Sequence, residues 1–152
     1  MSVYIGIDPG KSGAYAALFD DGEVFSRPWN DELFVEEMRG FADIAKTRNE
    51  SIVACVEKVG ALPKQGVVSM FKFGKSAGFI EGVLQANGIP YQLVPPQTWK
   101  KEYSLNADKQ RSIMVCKQLF PGVNLKRTER CTTDHDGLAE ALLMALYAKR
   151  RF

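Results

Sequence analysis

The sequence has few of the residues that would indicate a disulfide-rich protein, a zinc protein or a membrane protein. Its 152 residues include one histidine and three cysteines, and no Cys-x-x-Cys pair occurs. An odd cysteine count argues against a disulfide framework and a zinc site, so we expect three buried thiols, Cys55, Cys116 and Cys131. No apolar run approaches the roughly 20 residues that cross a bilayer, and the first residues follow a strand pattern rather than a signal peptide. We therefore expect a cytoplasmic protein without a membrane partner.

An excess of charge is also absent, because the net charge is only +2. Hydrophobic residues make up 45% and charged residues 25%, the balance of an ordinary globular protein, and the length predicts one domain over residues 1–152. The second half nevertheless holds a basic region made of Lys100, Lys101, Lys109, Arg111, Lys117, Lys126, Arg127 and Arg130. Such a region is typical of proteins that bind nucleic acid, although for each side chain alone a solvated surface is the better explanation.

Three short strands open the predicted fold. Val3–Ile7 is apolar and ends at a turn, and Ala14–Phe19 and Glu23–Arg27 form a second and third strand. The sequence Asp20-Asp21-Gly22 between the last two predicts a hairpin. Asn30 is a suitable N-cap for a helix whose apolar residues recur at helical spacing, namely Phe34, Met38, Phe41 and Ala45.

Helices and two further strands follow. Ser51–Val56 is apolar and β-branched, as buried parallel strands are, and Tyr91–Val94 is the fifth strand. The helices predicted here are Val67–Asn87 with Gly88 as its cap, a short one holding Trp99, Ala107–Phe120 with Asn106 as N-cap, and Asp134–Lys149. Residues 123–133 are predicted to form a loop. The order βββαβαβαα predicts an α/β fold with a mixed five-stranded sheet flanked by helices.

Two acids end two of the predicted strands. Asp8 follows the first strand and Glu57 follows the fourth, and functional groups in open α/β sheets gather at such carboxyl ends. If these strands are neighbours, the repulsion between the carboxylates requires a cation, and oxygen ligands favour Mg²⁺ or Mn²⁺. Asp134 and Asp136 at the start of the last helix complete a predicted set of four acids. Such a set holds two metals about 4 Å apart and hydrolyses phosphodiesters.

Each acid also has a structural explanation. Asp8 could cap the turn that follows it, and Glu57 could be a solvated strand end. Asp134 and Asp136 could be charges that favour the N-terminus of a helix. Function is the better explanation for Asp8 and Glu57, because an unpaired buried carboxylate is costly. The only histidine, His135, lies between two of the acids and is a candidate proton shuttle, ligand or surface residue. A further acid one turn along the helix, Glu140, is a candidate outer-shell group or a solvated charge.

A glycine stripe marks the long predicted helix. Gly74, Gly78 and Gly82 recur every four residues, and each costs a helix roughly 1 kcal/mol relative to alanine. The stripe is therefore expected where another backbone approaches closely. The sheet and the same helix of a second subunit are both candidates, and the sheet is the simpler one.

The chain resembles the RuvC-type Holliday junction resolvases, especially their short viral branch, nearly from end to end. The segments that carry the resemblance are Gly6-Ile7-Asp8-Pro9-Gly10, Val56-Glu57, Ser69 to Gly82, and Asp136-Gly137-Leu138-Ala139-Glu140-Ala141. The resemblance implies a ribonuclease H-like fold. It also implies a Mg²⁺-dependent endodeoxyribonuclease of DNA recombination and repair, which cuts Holliday junctions and other branched DNA with paired nicks. If the protein is viral, its place is the cytoplasm of the host cell.

The resemblance also implies roles for particular residues. Asp8, Glu57 and Asp136 match metal-binding acids of the family, whereas Thr133 stands where a fourth is common, so Asp134 is taken as its substitute. The basic residues expected to bind DNA are Lys100, Lys101, Lys109, Lys126, Arg127 and Arg130, of which the first and third match family positions. A homodimer through the long helix is implied as well. The aromatic wedge of the bacterial members is missing from Val59-Gly60-Ala61.

Three other functions compete with this interpretation. A ribonuclease H that cuts RNA in hybrids is not excluded by any feature of the sequence. A non-catalytic DNA-binding relative is disfavoured because all the acids are present. An actin-like ATPase also begins with a strand followed by Asp-x-Gly, but two lobes need a much longer chain.

Overall fold

A mixed five-stranded sheet is the centre of the fold in the computed structural model, which describes residues 2–58, 60, 64 and 66–152. The strands are β1 Ser2–Asp8, β2 Ala14–Phe19, β3 Val24–Pro28, β4 Ser51–Glu57 and β5 Tyr91–Val94. The helices are α1 Asp31–Arg48, α2 Val67–Ala86, α3 Pro96–Glu102, α4 Lys109–Leu119 and α5 Asp136–Arg151. The sheet order is β3-β2-β1-β4-β5, with β1 antiparallel to β2 and parallel to β4. The predicted α/β class, the strand number and the three helices after β5 are confirmed.

Local signals placed the β2–β3 hairpin and the start of α1 correctly. The two strands pair antiparallel, and Gly22 adopts a φ of 91° in the turn between them. The side chain of Asn30 caps α1, since its Oδ1 accepts a hydrogen bond of 3.0 Å from the Leu33 amide. These features depend only on residues close together in sequence.

Two helices begin later than the sequence predicts. Helix α4 starts at Lys109 with Asp108 as its N-cap, because Asn106 uses its side chain to accept from the Asp108 amide and forms a turn before the helix. Helix α5 starts at Asp136 with His135 as its N-cap. Asp134, predicted to open this helix, therefore lies outside it.

Each face of the sheet has its own hydrophobic core, because successive side chains of a strand point to opposite faces. Tyr15, Ala17 and Phe19 of β2 belong to the core under α1 and α2, whereas Ala14, Ala16 and Leu18 belong to the core under α3, α4 and α5. All three cysteines are free; Cys55 and Cys116 are buried, as expected, but Cys131 is only half-buried. In the part of the chain that the structure describes, no helix is both long and apolar enough to span a membrane.

Helix α5 lies unusually close to the central strand β1, and Gly6 permits this approach. A Cβ atom at this position would overlap the carbonyl oxygen of Ala141 and the amide nitrogen of Ala145. Glycine lacks a Cβ, so the two backbones can come into contact. The first turn of α5 is thereby held beside the carboxyl end of β1.

We expect Gly6→Ala to destabilise the fold by about 3 kcal/mol or more, because the new methyl group meets backbone that cannot move aside alone. Gly40→Ala is the matched control, since a Cβ there meets no atom within 4 Å in the described structure. That substitution removes a glycine from the interior of α1 and should stabilise the protein by about 0.5–1 kcal/mol. Urea unfolding measures both changes. Equal stability of the two variants would contradict the close packing at Gly6.

Candidate active site

The ends of β1 and β4 bring the first two acids together. The strands are parallel neighbours in which Ile7 lies opposite Val56, so the next residues, Asp8 and Glu57, end at the same edge of the sheet. The strand register thus produces the convergence that the sequence suggested.

Helix α5 adds two more acids to this edge. Asp136 is the first residue of the helix, and Glu140 follows one turn later on the same face. The turn after β1 supports this placement, because a Cβ on Gly137 would clash with the backbone oxygen of Ser12. Glu140 is only 8% exposed, which is rare for a glutamate. We call Asp8, Glu57, Asp136 and Glu140 the acidic cluster.

The charges of the acidic cluster act on one another. Burial, followed by the negative charges of Glu57, Glu140 and Asp136, raises the pKa of Asp8 from 3.8 to about 8. The charge of Lys100 opposes the shift. Burial also raises the pKa of Glu140, against the opposing charge of Lys100. The site therefore holds more negative charge than its own cations neutralise.

Asp134, the acid that the sequence offered as the fourth member, lies elsewhere. Its carboxylate forms ion pairs with Lys117 and with Lys126, the latter at 3.3 Å. Hydrogen bonds from these lysines lower the pKa of Asp134, and its charge is absent from those that raise the pKa of Asp8. Because α5 begins two residues later than predicted, Asp134 precedes the helix and Glu140 takes the fourth place in the cluster.

His135 has a structural task in the described structure. Its Nδ1 accepts a hydrogen bond of 3.3 Å from the Leu138 amide and so caps α5. Burial lowers the pKa of this imidazole, which favours the neutral form that an accepting nitrogen needs. The residue thereby orients the helix turn that carries Asp136.

Trp99 positions Glu57, and the sequence did not reveal this contact. The indole Nε1 donates a hydrogen bond of 2.9 Å to Oε2 of Glu57, and the tryptophan is fully buried in α3. A buried indole N–H usually finds a partner, but the sequence contains no pattern that joins residues so far apart. In the same way, Ser112 of α4 donates to Glu140 at 3.4 Å.

Two predicted DNA-binding lysines lie at the acidic cluster itself. Lys109 Nζ is 3.2 Å from Asp136, and Lys100 Nζ is 3.9 Å from Glu140. The other predicted basic residues lie further out: Lys126 pairs with Asp134, while Lys101, Arg127 and Arg130 are exposed. The cations nearest the cluster thus stand where a phosphate at the acids would contact them.

The donor set of the cluster suits Mg²⁺ or Mn²⁺, because it consists of carboxylate oxygens alone. Among the described residues, no three histidine, cysteine or acidic side chains are positioned as ligands of one ion as they stand. Asp136 and Glu140 are instead turned to Lys109 and Lys100. The carboxylate chemistry of the ligands, and the crowding of acids that raises the pKa of Asp8, are what fit a divalent metal.

The glycine stripe of α2 does not pack against the sheet. A Cβ on Gly74, Gly78 or Gly82 would meet no atom within 4 Å in the part of the chain that the structure describes. The side of α2 that packs on the core holds Ile80 and Leu84. The simpler of the two sequence interpretations is therefore wrong, and the stripe is an open surface.

The mixed sheet and its flanking helices form the ribonuclease H-like fold that the sequence resemblance implied. Thermus thermophilus RuvC in complex with a Holliday junction substrate matches with a TM-score of 0.57 at 19% identity, over 99% of this chain and 97% of that one. A second Thermus thermophilus RuvC structure matches with a TM-score of 0.52 at 19% identity, over 97% of this chain and 96% of that one. The fowlpox virus Holliday junction resolvase matches with a TM-score of 0.51 at 17% identity, over 97% of this chain and 99% of that one. No family model and no curated protein matches the sequence.

We expect Asp8→Asn to stabilise the metal-free protein. The folded protein holds a proton on Asp8 up to a pKa of about 8, whereas the unfolded chain releases it near 3.8, so this group costs stability as pH rises between those values. Asparagine does not ionise, so its advantage should be small near pH 4 and largest at pH 8. A gain on the order of 1 kcal/mol corresponds to roughly 2–4 °C in Tm at this length.

Thermal melts in EDTA across this pH range measure the effect, and melts with added Mg²⁺ test the metal. Mg²⁺ should raise the Tm of the unsubstituted protein at pH 8 and leave that of Asp8→Asn unchanged. Asp43→Asn, at an exposed residue of α1, is the control for loss of one carboxylate. If Asp8→Asn has a lower Tm in EDTA than the unsubstituted protein, the repulsion between Asp8 and the other carboxylates of the acidic cluster is absent.

Proposed function

We propose that this protein is a metal-dependent endonuclease that cuts Holliday junctions and other branched DNA. The observation that carries the proposal is the acidic cluster, with Asp8 buried among three further carboxylates at the carboxyl edge of the sheet. The fold supports it, because the similar solved structures are RuvC and a viral Holliday junction resolvase. One domain would carry the activity, and the cytoplasm, of the host cell for a viral protein, would be its location.

The four carboxylates would hold the metal. Divalent ions at such a site activate water and stabilise the leaving oxygen of a phosphodiester. Asp8 and Glu57 come from adjacent rigid strands, and Trp99 holds one oxygen of Glu57 in place. Asp136 and Glu140 would turn from their lysines toward the ion.

Lys100 and Lys109 would exchange partners when DNA binds. In the described structure they neutralise part of the acidic cluster, and this limits the cost of the buried charge. Once metal takes that task, both ammonium groups are available for phosphates on either side of the scissile bond. Lys101, Arg127 and Arg130 would extend the contact along the DNA.

We further propose a homodimer through α2. The glycine stripe shares its helix face with Val67 and Phe71, which are 84% and 72% exposed, and large exposed apolar side chains mark interaction surfaces. Small residues next to such side chains let a second helix approach closely. A two-fold axis there would give two acidic clusters for paired cuts.

Cleavage of a labelled four-way junction with Mg²⁺ tests both the function and the membership of the cluster. Glu140→Gln should lower the rate at least about a hundredfold, because it removes a charged metal ligand. Asp134→Asn is the matched control on the neighbouring segment and should retain activity within about threefold, since Asp134 only pairs with surface lysines.

Three further reactions sharpen this test. EDTA and Asp8→Asn should each abolish cutting, while duplex and RNA–DNA hybrid should be cut poorly. A protein that cuts the hybrid and leaves the junction intact would be a ribonuclease H instead. A protein that binds junctions tightly without cutting them in Mg²⁺ or Mn²⁺ would be a non-catalytic relative. Loss of activity in Asp134→Asn but not in Glu140→Gln would reverse the assignment of the fourth acid.

Phe71→Glu should break the proposed dimer, because a charge in the apolar face of α2 would be buried on association. Sedimentation across a concentration series should show a dissociation constant raised at least about tenfold. Met114→Glu on α4, at a side chain that is 50% exposed, is the control for an added surface charge. A monomer for the unsubstituted chain at all concentrations, with and without junction DNA, would end the dimer proposal.

A further inference from the structure

A groove of about 1100 Å³ adjoins the acidic cluster on the α1 and α2 side of the sheet. One wall is the turn that follows Asp8, from Pro9 to Ser12; another is the start of α1 with Trp29 before it; the third is the first half of α2. Because Pro9 comes directly after Asp8, the groove begins where the acidic cluster ends. Of the residues that line it, only Arg127 has a role in the function proposed above.

The lining of the groove combines positive charge with apolar surface. Lys11, Lys72 and Arg127 contribute three cations, and Phe73 presents an aromatic side chain that is 44% exposed. Two acids, Asp31 and Glu32, also line the groove from the first turn of α1, where the helix dipole offsets their charge. Asp31 also accepts a hydrogen bond of 2.7 Å from the Trp29 indole.

Two of the three walls of the groove are held in place by hydrogen bonds and ring packing. The turn after β1 is closed by a hydrogen bond of 2.9 Å from the Gly13 amide to the Gly10 oxygen, and the Trp29 amide donates to Gly13 at 3.1 Å. The Trp29 ring packs edge-on against Tyr15, with centroids 5.7 Å apart. A ligand would therefore meet a preformed surface, which lowers the entropic cost of binding.

The groove and the active-site lysines flank the acidic cluster from opposite faces of the sheet. Trp29 belongs to the core under α1 and α2, whereas Lys100 and Lys109 lie on α3 and α4, which cover the other face. A DNA strand with one phosphate at the acidic cluster would continue past the lysines in one direction and into the groove in the other.

The groove side of α2 is also separate from its glycine face. Phe73 precedes Ile80 by seven residues and therefore shares the side of the helix that packs on the core, where Ile80 and Leu84 are buried. Phe71 lies on the other side with the glycines. A dimer through the glycine face leaves the groove open.

We propose that this groove binds unpaired nucleotides of the strand that is cut, next to the branch point. This inference rests on the proposed nuclease function and adds the form of DNA that the site recognises. Lys11, Lys72 and Arg127 contact the phosphates, and a base stacks on Phe73, the combination used to bind single strands. A continuous duplex keeps its bases stacked inside and offers no partner to Phe73.

Binding measurements in EDTA, where no cutting occurs, test the groove with three probes: a fully paired four-way junction, the same junction with unpaired thymidines at the branch, and a duplex. Phe73→Leu should weaken binding of the junction with unpaired thymidines about tenfold and of the paired junction less than about twofold. Phe73→Tyr should restore binding, because it restores an aromatic ring. Leu93→Ala, at a residue 42% exposed on β5, controls for loss of surface apolar area.

The cations are tested through salt dependence on the junction with unpaired thymidines. Replacing both Lys11 and Lys72 by alanine should reduce the slope of log affinity against log salt by about 1.4, the value for two single-strand phosphate contacts. Replacing Lys46 and Arg48, in the last turn of α1, is the matched control and should leave the slope unchanged.

The outcomes separate this inference from the function beneath it. If the unsubstituted protein cuts junctions while the Phe73 and lysine variants match their controls, the groove is not a DNA site but the nuclease stands. Equal losses on paired and unpaired probes would mean a duplex occupies the groove and would overturn the assignment. Failure of the unsubstituted protein to bind or cut any branched DNA would remove the function and the inference together.

Discussion

Close packing between β1 and α5 is the constraint on which the candidate site depends. Gly6 removes the one Cβ that would separate the two backbones, so α5 crosses the central strand at contact distance. Gly137 allows a similar approach to the turn after β1. Together these contacts set the height and rotation of α5, and they bring Asp136 and Glu140 to the edge where Asp8 and Glu57 end. A small shift of the helix would move two carboxylates away from the other two.

The four acids brought together in this way lower the stability of the fold, and the proposed function explains why they are kept. Burial and neighbouring carboxylates raise the pKa of Asp8, and Lys100 and Lys109 compensate only part of the charge. A divalent cation bound at the cluster would offset this cost, and a functional site of this kind is expected to be less stable empty than with its charge removed. The same lysines are placed to accept phosphates, so metal binding and DNA binding would favour each other.

Helix α2 serves two surfaces because its two sides have different chemistry. Its core side carries Phe73, which lines the basic groove. Its outer side carries the glycine stripe, which follows exposed apolar residues along the helix. In a symmetric dimer the outer sides would meet, and each groove would lead away from its own acidic cluster. This arrangement would let two subunits hold different strands of one junction.

Much of the fold and three of the four acids of the cluster were predictable from the sequence. The five strands, the Asp-Gly hairpin and the Asn30 cap depend on neighbouring residues, and the acids that end β1 and β4 had to meet once those strands became parallel neighbours. Tertiary structure decided the rest. The late start of α5 put Asp134 among lysines and Glu140 in the cluster, the rotation of α2 turned its glycines outward, and the path of α3 brought Trp99 to Glu57. Local patterns specify elements because they act over a few residues, whereas the direction of a side chain in space depends on how distant elements pack.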